Sequence, residues 1–172
     1  MYPILKTKRT IVKPYSEQEY ENIFNLLYIH RDENEGSFVD MKTADDAAKI
    51  IHESIKPGIF WIILCKETQS PIGWILCDKA LGHKINKRIF IHTWIRDAYR
   101  HMGLGREILE KVMNFAFYGI NTEVVVTNVK NSEMKAHELM KEFGFTVYNH
   151  FPKNKAILPR AGRTFSRMER QS

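Results

Sequence analysis

The 172 residues are predicted to fold as one mixed α/β domain, and three features point there. Apolar runs of strand length, Ile59 to Lys66, Ile72 to Asp78 and Arg88 to Ile95, occupy the centre of the chain. On either side lie segments whose apolar residues recur at helical rather than strand spacing. Turn residues separate these segments, and no repeat, low-complexity tract or Pro/Gly linker divides the sequence further. A hydrophobic content of 44% with 27% charged residues is the balance of a chain that buries a core, not of a disordered one. The longest uninterrupted apolar run, Ile59 to Cys65, is too short to span a bilayer, and no basic-then-apolar leader marks the chain for export.

Thr7 to Lys13 reads as the first strand. Ser16-Glu17-Gln18-Glu19 has capping-box spacing, which satisfies free N–H groups at a helix start, and it opens a helix with Tyr20, Ile23, Phe24 and Leu27 as its apolar stripe. Arg31 to Asp40 is polar, acidic and contains Gly36, so it reads as a loop. Thr43 to Ile55 is a second helix with Ala44, Ala47, Ala48, Ile51 and Ile55 on one face, stopped by Pro57-Gly58. Two strands follow, Ile59 to Lys66 and Ile72 to Asp78, joined by the turn-rich Thr68-Gln69-Ser70-Pro71. Leu81 to Lys87 is a loop before the long strand Arg88 to Ile95. Leu104, Ile108, Leu109, Val112, Phe115 and Ala116 give a third helix its buried face, which Gly119 ends. Glu123 to Val129 is a strand. Ser132 caps a fourth helix carrying Ala136, Leu139, Met140 and Phe143, and Gly144 terminates it. Phe145 to Phe151 and Thr164 to Glu169 are the last strands, separated by a loop with Pro152 and Pro159.

The net charge of +6 is unevenly placed. Residues 1–16 carry +4 from Lys6, Lys8, Arg9 and Lys13, and residues 153–172 carry +5, so the middle holds the difference, −3. Basic ends attract polyanions, whether a nucleotide-like cofactor or a nucleic acid, although solvated surface charge explains them equally well. Cys65 and Cys77 sit in apolar runs, where a small buried thiol is the default, in keeping with a reducing cytoplasm.

The most informative stretch is Ile95 to Gly105, which leaves an extended run, passes through Arg100-x-x-Gly103-x-Gly105 and enters a helical pattern. Two glycines let the backbone approach a ligand without an intervening Cβ, and the N–H groups and dipole of the helix start favour an anion there. A strand, a glycine turn and a helix start in that order suggest a cradle for a pyrophosphate.

This stretch resembles the acetyl-CoA-binding segment of the GNAT superfamily of N-acetyltransferases, roughly V-x-P-x-Y-[RQ]-x-x-G-x-[GA]. Ile95, Tyr99, Arg100, Gly103 and Gly105 match it, while Asp97 stands where proline is usual. Downstream, Met140-Lys141-Glu142-Phe143-Gly144-Phe145 is similar to the family's L-Y-x-K-x-G-F helix terminus, and upstream Pro71 to Leu76 is similar to its strand after the first central turn. The resemblance implies one GNAT-like α/β (α+β) domain over residues 1–172, with a central, mostly antiparallel mixed sheet of about seven strands flanked by four helices.

It also implies a cytoplasmic N-acetyltransferase in which a primary amine, of a small molecule or a protein, attacks acetyl-CoA directly in a ternary complex. Such a reaction needs the amine deprotonated, a donor for the developing oxyanion and an acid for the thiolate. The cofactor-binding residues implied are Ile95, pairing its backbone with the pantetheine arm, with Arg100, His101, Met102, Gly103, Leu104, Gly105 and Arg106, mostly through main chain. Asn131 joins them as a substitute for the helix asparagine of the family, whose position holds Glu133.

The chemistry of proton transfer departs from the family. Met140 occupies the position of the tyrosine that protonates the thiolate, and methionine has no proton to give. On the strand face shared with Ile95 stand Ile89, Ile91 and Thr93, while His92 alternates to the other face. Tyr148, His92 and Glu33 are the candidates for acid–base roles, and Asp32, Glu33, Glu35 and Asp40 give the first interhelical loop a charge suited to a cationic amine. Two other readings stay open: a GNAT-fold acyl-CoA binder without turnover, and a nucleic-acid-binding module using the basic ends, which lacks interleaved aromatics. No metal site is expected, and a homodimer is possible.

Overall fold

The computed structural model describes residues 2–33, 43–55, 59–79, 88–130, 132–147 and 165–171. Its first segment forms two short strands, β1 (Leu5–Lys6) and β2 (Thr10–Pro14), rather than the single strand that the sequence predicts over Thr7 to Lys13. A hydroxyl makes the difference. Thr7 Oγ1 accepts the Thr10 N–H at 2.9 Å while the Thr7 N–H donates to the Thr10 carbonyl at 3.0 Å, which closes a tight turn.

Helix α1 combines a 3₁₀ turn (Glu17–Glu19), an α-helical stretch (Tyr20–Phe24) and a π-helical turn (Asn25–Ile29). Ile23, Leu26 and Leu27 are buried on its inner face. The capping box expected at Ser16 is not formed, because Lys13 Nζ at 2.5 Å and Asn22 Nδ2 at 2.8 Å take the Glu19 carboxylate. Helix α2 (Ala44–Ile50, continued by a π-helical turn over Ile51–Ile55) does start with a capping box, made by Thr43 and Asp46.

Strands β3 (Ile59–Cys65), β4 (Pro71–Lys79) and β5 (Arg88–Ile95) form an antiparallel meander. Ile63 pairs with Gly73 but Leu64 pairs with Pro71, so Ile72 is an extra residue bulged out of β4. Helix α3 (Leu104–Asn114, continued by a π-helical turn over Phe115–Gly119) leads to β6 (Val124–Lys130) and α4 (Met134–Glu142). Ser132 does not cap α4. The helix begins one residue later with Glu133 at the N-cap and no side-chain cap, and the Glu133 carboxylate faces Arg100 instead. Gly144, at φ +83, ends the helix as the sequence predicts.

β7 (Thr146–Val147) holds two residues of the strand expected over Phe145 to Phe151, and residues 148–164 lie outside the described residues. β8 (Phe165–Gln171) completes an eight-stranded sheet of order β1-β2-β3-β4-β5-β6-β8-β7, one strand more than expected because of the β1 hairpin. Every neighbouring pair is antiparallel except β5 and β6.

The sheet separates two cores. On one face Trp61, Ile63, Ile75, Ile89 and Ile91 pack against Leu104, Ile108 and Val112 of α3, with Leu139, Met140 and Phe143 of α4 alongside. On the other, Phe60, Ile62, Trp74 and Trp94 pack against Ile23, Leu26 and Leu27 of α1 and Ala47 and Ile51 of α2. Strand alternation alone produces this division, since neighbouring side chains of β3 and β5 point to opposite faces.

Candidate active site

Between β5 and β6 the sheet opens. Their parallel pairing covers only Arg88, Ile89 and Phe90 against Val124, Val125 and Val126. β6 then continues with β8 to Lys130, and β5 continues with β4 to Ile95. Among the described residues, β5 therefore has a strand partner on one side only from Ile91 to Ile95. The Arg96 N–H donates to the Ile72 carbonyl at 2.9 Å on the β4 side, so alternation turns the backbone groups of Thr93 and Ile95 toward the opening. The Ile95 carbonyl agrees, because it accepts Arg100 Nε at 2.9 Å.

Past Ile95 the chain makes a 3₁₀ turn (Asp97–Tyr99), passes His101 at φ +61 and Gly103 at φ +80, and enters α3. Gly103 is the N-cap and has no side chain to cover the first N–H groups of the helix. A Cβ there would lie 3.2 Å from an Arg9 guanidinium nitrogen, on backbone that L-residues avoid. Gly105 answers a different need: its missing Cβ points to Leu139 Cδ2 of α4 at 3.7 Å, an ordinary packing contact.

The side chains expected around this turn divide into groups. Met102 and His101 are exposed, and Leu104 is buried in the core, so its contribution is main chain alone. Arg100 turns inward, with Nε on the Ile95 carbonyl and 3.1 Å from Asp97 Oδ1, and a second nitrogen 3.4 Å from Glu133 Oε1. Arg106 pairs with Glu142 of α4 and lies 5.9 Å above the Phe143 ring. Tyr99 packs against the core, with the Arg96 guanidinium 5.8 Å from its ring centroid. Asn131 lies outside the described residues.

The sequence reading overlooks Arg9. From the β1–β2 turn it donates NH1 to the Met102 carbonyl at 2.7 Å and Nε to Glu107 Oε1 at 2.6 Å, and its backbone N–H reaches Glu107 Oε2 at 3.2 Å. Partial burial pushes the Glu107 carboxyl up, but Arg9 and the Thr7 hydroxyl outweigh it and hold the group below the usual range. No local pattern announces a partnership 93 positions apart.

On the opposite face, Glu33 closes against the end of β5. Its carboxylate accepts the Asp97 N–H at 2.8 Å and faces His30 Nδ1 at 3.0 Å, while its carbonyl accepts Trp94 Nε1 at 3.0 Å. Burial pushes its carboxyl pKa up, yet the Asp97 N–H, His30 and Arg96 together bring it below the usual carboxylate range. His92 is part-buried on the Trp94 side of β5, away from Ile95, as alternation predicts. Asp32 is exposed, and Glu35, Asp40 and Tyr148 lie outside the described residues.

Met140 sits on the α3–α4 core, and Cys77 is fully enclosed, its thiol pushed up to about 12 by burial. Cys65 is only part-buried, contrary to the expected buried thiol, because it ends β3; N–H and O–H donors of Thr68 hold its thiol pKa below the usual value. No group of His, Cys, Asp and Glu among the described residues is arranged to hold a metal, and no described helix is long and apolar enough to cross a membrane.

Residues 9–146 match the family model described as an acetyltransferase (GNAT) domain. The uncharacterized N-acetyltransferase YoaA of Bacillus subtilis (strain 168) is 25% identical over 150 residues, which cover 84% of each chain. A spermidine N-acetyltransferase of Vibrio cholerae, solved with CoA and spermine, superposes with a TM-score of 0.73 at 15% identity, covering 95% of both chains. A ribosomal-protein-S5-alanine acetyltransferase of Vibrio fischeri superposes with a TM-score of 0.75 at 9% identity, covering 99% of this chain and 97% of that one. With its glycine turn beside a splayed pair of parallel strands, and a family match spanning most of its length, the chain belongs to the GNAT acetyltransferases and is an acyltransferase.

Proposed function

We propose that the protein transfers the acetyl group of acetyl-CoA to a primary amine, with the phosphates held at the Gly103 turn and the acyl arm lying along the open side of β5. The observation that carries this is Gly103 itself, a bare left-handed N-cap at the end of a strand whose backbone groups face an unpaired gap. The residues fit the group: a Cβ at Gly103 would intrude on the Arg9 nitrogen, and the first-turn N–H groups of α3 supply donors with the favourable end of the helix dipole.

When bound, acetyl-CoA supplies an activated acyl thioester. Ile95 pairs with the pantetheine arm, and Gly103, Leu104, Gly105 and Arg106 give main-chain donors. His101 and Met102 shape the rim, Arg100 fixes the loop against Ile95, and Asn131 is the further candidate for holding the cofactor. On the other face the acceptor meets the Glu33 wall, where carboxylates in a partly desolvated cleft favour a cationic amine, small or on a protein. Tyr148 and His92 are the acid–base candidates. Glu33 is better suited to positioning, because its carboxylate already accepts a backbone N–H and faces His30. Two free thiols fit a cytoplasmic setting.

The test is calorimetric titration with CoA, followed by acetyl transfer to a panel of amines that includes polyamines and peptides with free N-termini. Parent protein should bind CoA, and Gly103→Glu should stay folded and lose binding, since its carboxylate would occupy the anion position. Equal binding by parent and variant would place the cofactor elsewhere. Met140, without a proton to give, favours a second reading, an acyl-CoA binder without turnover; saturable CoA binding with no transfer to any amine of the panel would establish it.

A further inference from the structure

We propose that Arg9 is a cofactor-positioning residue. From the hairpin turn between β1 and β2 it holds the Met102 carbonyl away from the phosphates and offers its remaining guanidinium nitrogen to them. The inference rests on the reading that the Gly103 turn holds the phosphates of acetyl-CoA. The family motif stops at the loop and the helix start, so the hairpin is an additional wall.

The donors of Arg9 can be followed one by one. Nε is on Glu107 at 2.6 Å and NH1 is on the Met102 carbonyl at 2.7 Å. NH2 makes no hydrogen bond among the described residues, and it lies 3.2 Å from where a Cβ of Gly103 would be, on the side that the glycine leaves bare. Of the five guanidinium N–H groups, the two on NH2 are thus left without a described acceptor beside the Gly103 turn. The side chain is 42% exposed, so an incoming anion can reach it.

Two effects follow. The Met102 carbonyl stands directly before the left-handed Gly103, and a carbonyl oxygen turned toward the anion would repel it. Fixing it on NH1 keeps the following N–H groups outward. The second effect is electrostatic. Glu107 lies in the first turn of α3, where a carboxylate enjoys the same dipole that the phosphates need. Arg9 neutralises it and draws both of its oxygens toward the hairpin, so the helix start stays free for the cofactor. A lysine could carry the charge but lacks the planar fork that serves Glu107, Met102 and the cradle together.

CoA titration of the parent, Arg9→Ala and Arg9→Lys tests this, alongside acetyl transfer with both substrates varied. Arg9→Ala should weaken CoA at least tenfold and flatten the dependence of log Kd on log salt. The loss should appear in KM for acetyl-CoA more than in kcat or in the acceptor KM, and millimolar guanidinium should restore part of it. A simple loss of structure would lower the melting temperature and the apparent kcat while leaving both KM values near those of the parent. Arg9→Lys should fall between parent and alanine, and it decides the matter if Arg9→Ala does not fold. CoA binding within twofold of parent in whichever variant folds overturns the role of Arg9. A parent that does not bind CoA overturns the cofactor reading itself.

Discussion

The carboxylate of Glu33 accepts the backbone N–H of Asp97 at 2.8 Å, which bonds the turn after α1 to the chain that leads into the Gly103 turn. The proposed acceptor wall and the proposed cofactor loop thus share a hydrogen bond. Glu33→Ala should raise KM for acetyl-CoA about three- to tenfold as well as KM for the acceptor, as expected for one lost bond to a charged group at a partly exposed site. A Glu33 that only attracts cations would move the acceptor KM alone, and bisubstrate steady-state kinetics separate the two.

Met140 governs the pH behaviour. With no phenol at this position, transfer should depend on geometry and on the free-amine fraction of the acceptor, so kcat/KM should climb through about pH 8 to 9 without a strong acid limb. Met140→Tyr should change the rate by less than roughly tenfold if another group protonates the thiolate. A gain of about a hundredfold would show that the parent lacks a general acid.

Gly73 leaves no room for a side chain between β4 and β5. A Cβ would lie 2.3 Å from the Trp94 carbonyl oxygen and 3.1 Å from Ile95 Cα, both backbone atoms that cannot swing aside. Gly73→Ala should therefore destabilise the fold by about 1–3 kcal/mol or more, as overpacking does. For a chain of this size that lowers Tm by roughly 2–4 °C per kcal/mol. Because the strain falls at the last paired residues of β5, CoA affinity should drop with it, and calorimetry with thermal melts reads both.

Glu19 provides an acid-dependent stability term. Burial pushes its carboxyl up, but Lys13 and Asn22 more than offset this and hold it below the usual 4.5. A depressed folded-state value means the contribution is complete above about pH 4.5 and fades as pH falls through the folded value. Glu19→Gln should cost about 1–3 kcal/mol at pH 7, and the gap from parent should close in acid. Denaturant melts at pH 7 and below pH 4 check the sign.

The geometry of the Gly103 turn is legible in the sequence because its parts are neighbours: strand, glycine and helix start within Ile95 to Gly105. The placement of His92 away from Ile95 is legible for the same reason, since alternation is a local rule. What the sequence hides is competition between distant partners. The Ser16 box has the right spacing, but Lys13 and Asn22 take its glutamate, and Ser132 yields to a helix start at Met134. Arg9 reads as one more charge in a basic run, and only the folded hairpin brings it to Met102.

The same hairpin bears on how the molecule keeps to itself. An outer strand with a long row of open N–H and C=O groups invites another chain to zip on. Here that margin is β1, two residues long and ending in Lys6. Beyond it β2 runs on into Pro14, whose neighbour Tyr15 donates its N–H inward to the Phe60 carbonyl at 2.8 Å. Alternation puts the proline nitrogen on the outside, where a missing hydrogen costs the ladder nothing and gives a visiting strand no donor. A short lysine-tipped strand followed by proline blunts this margin against strand-by-strand aggregation.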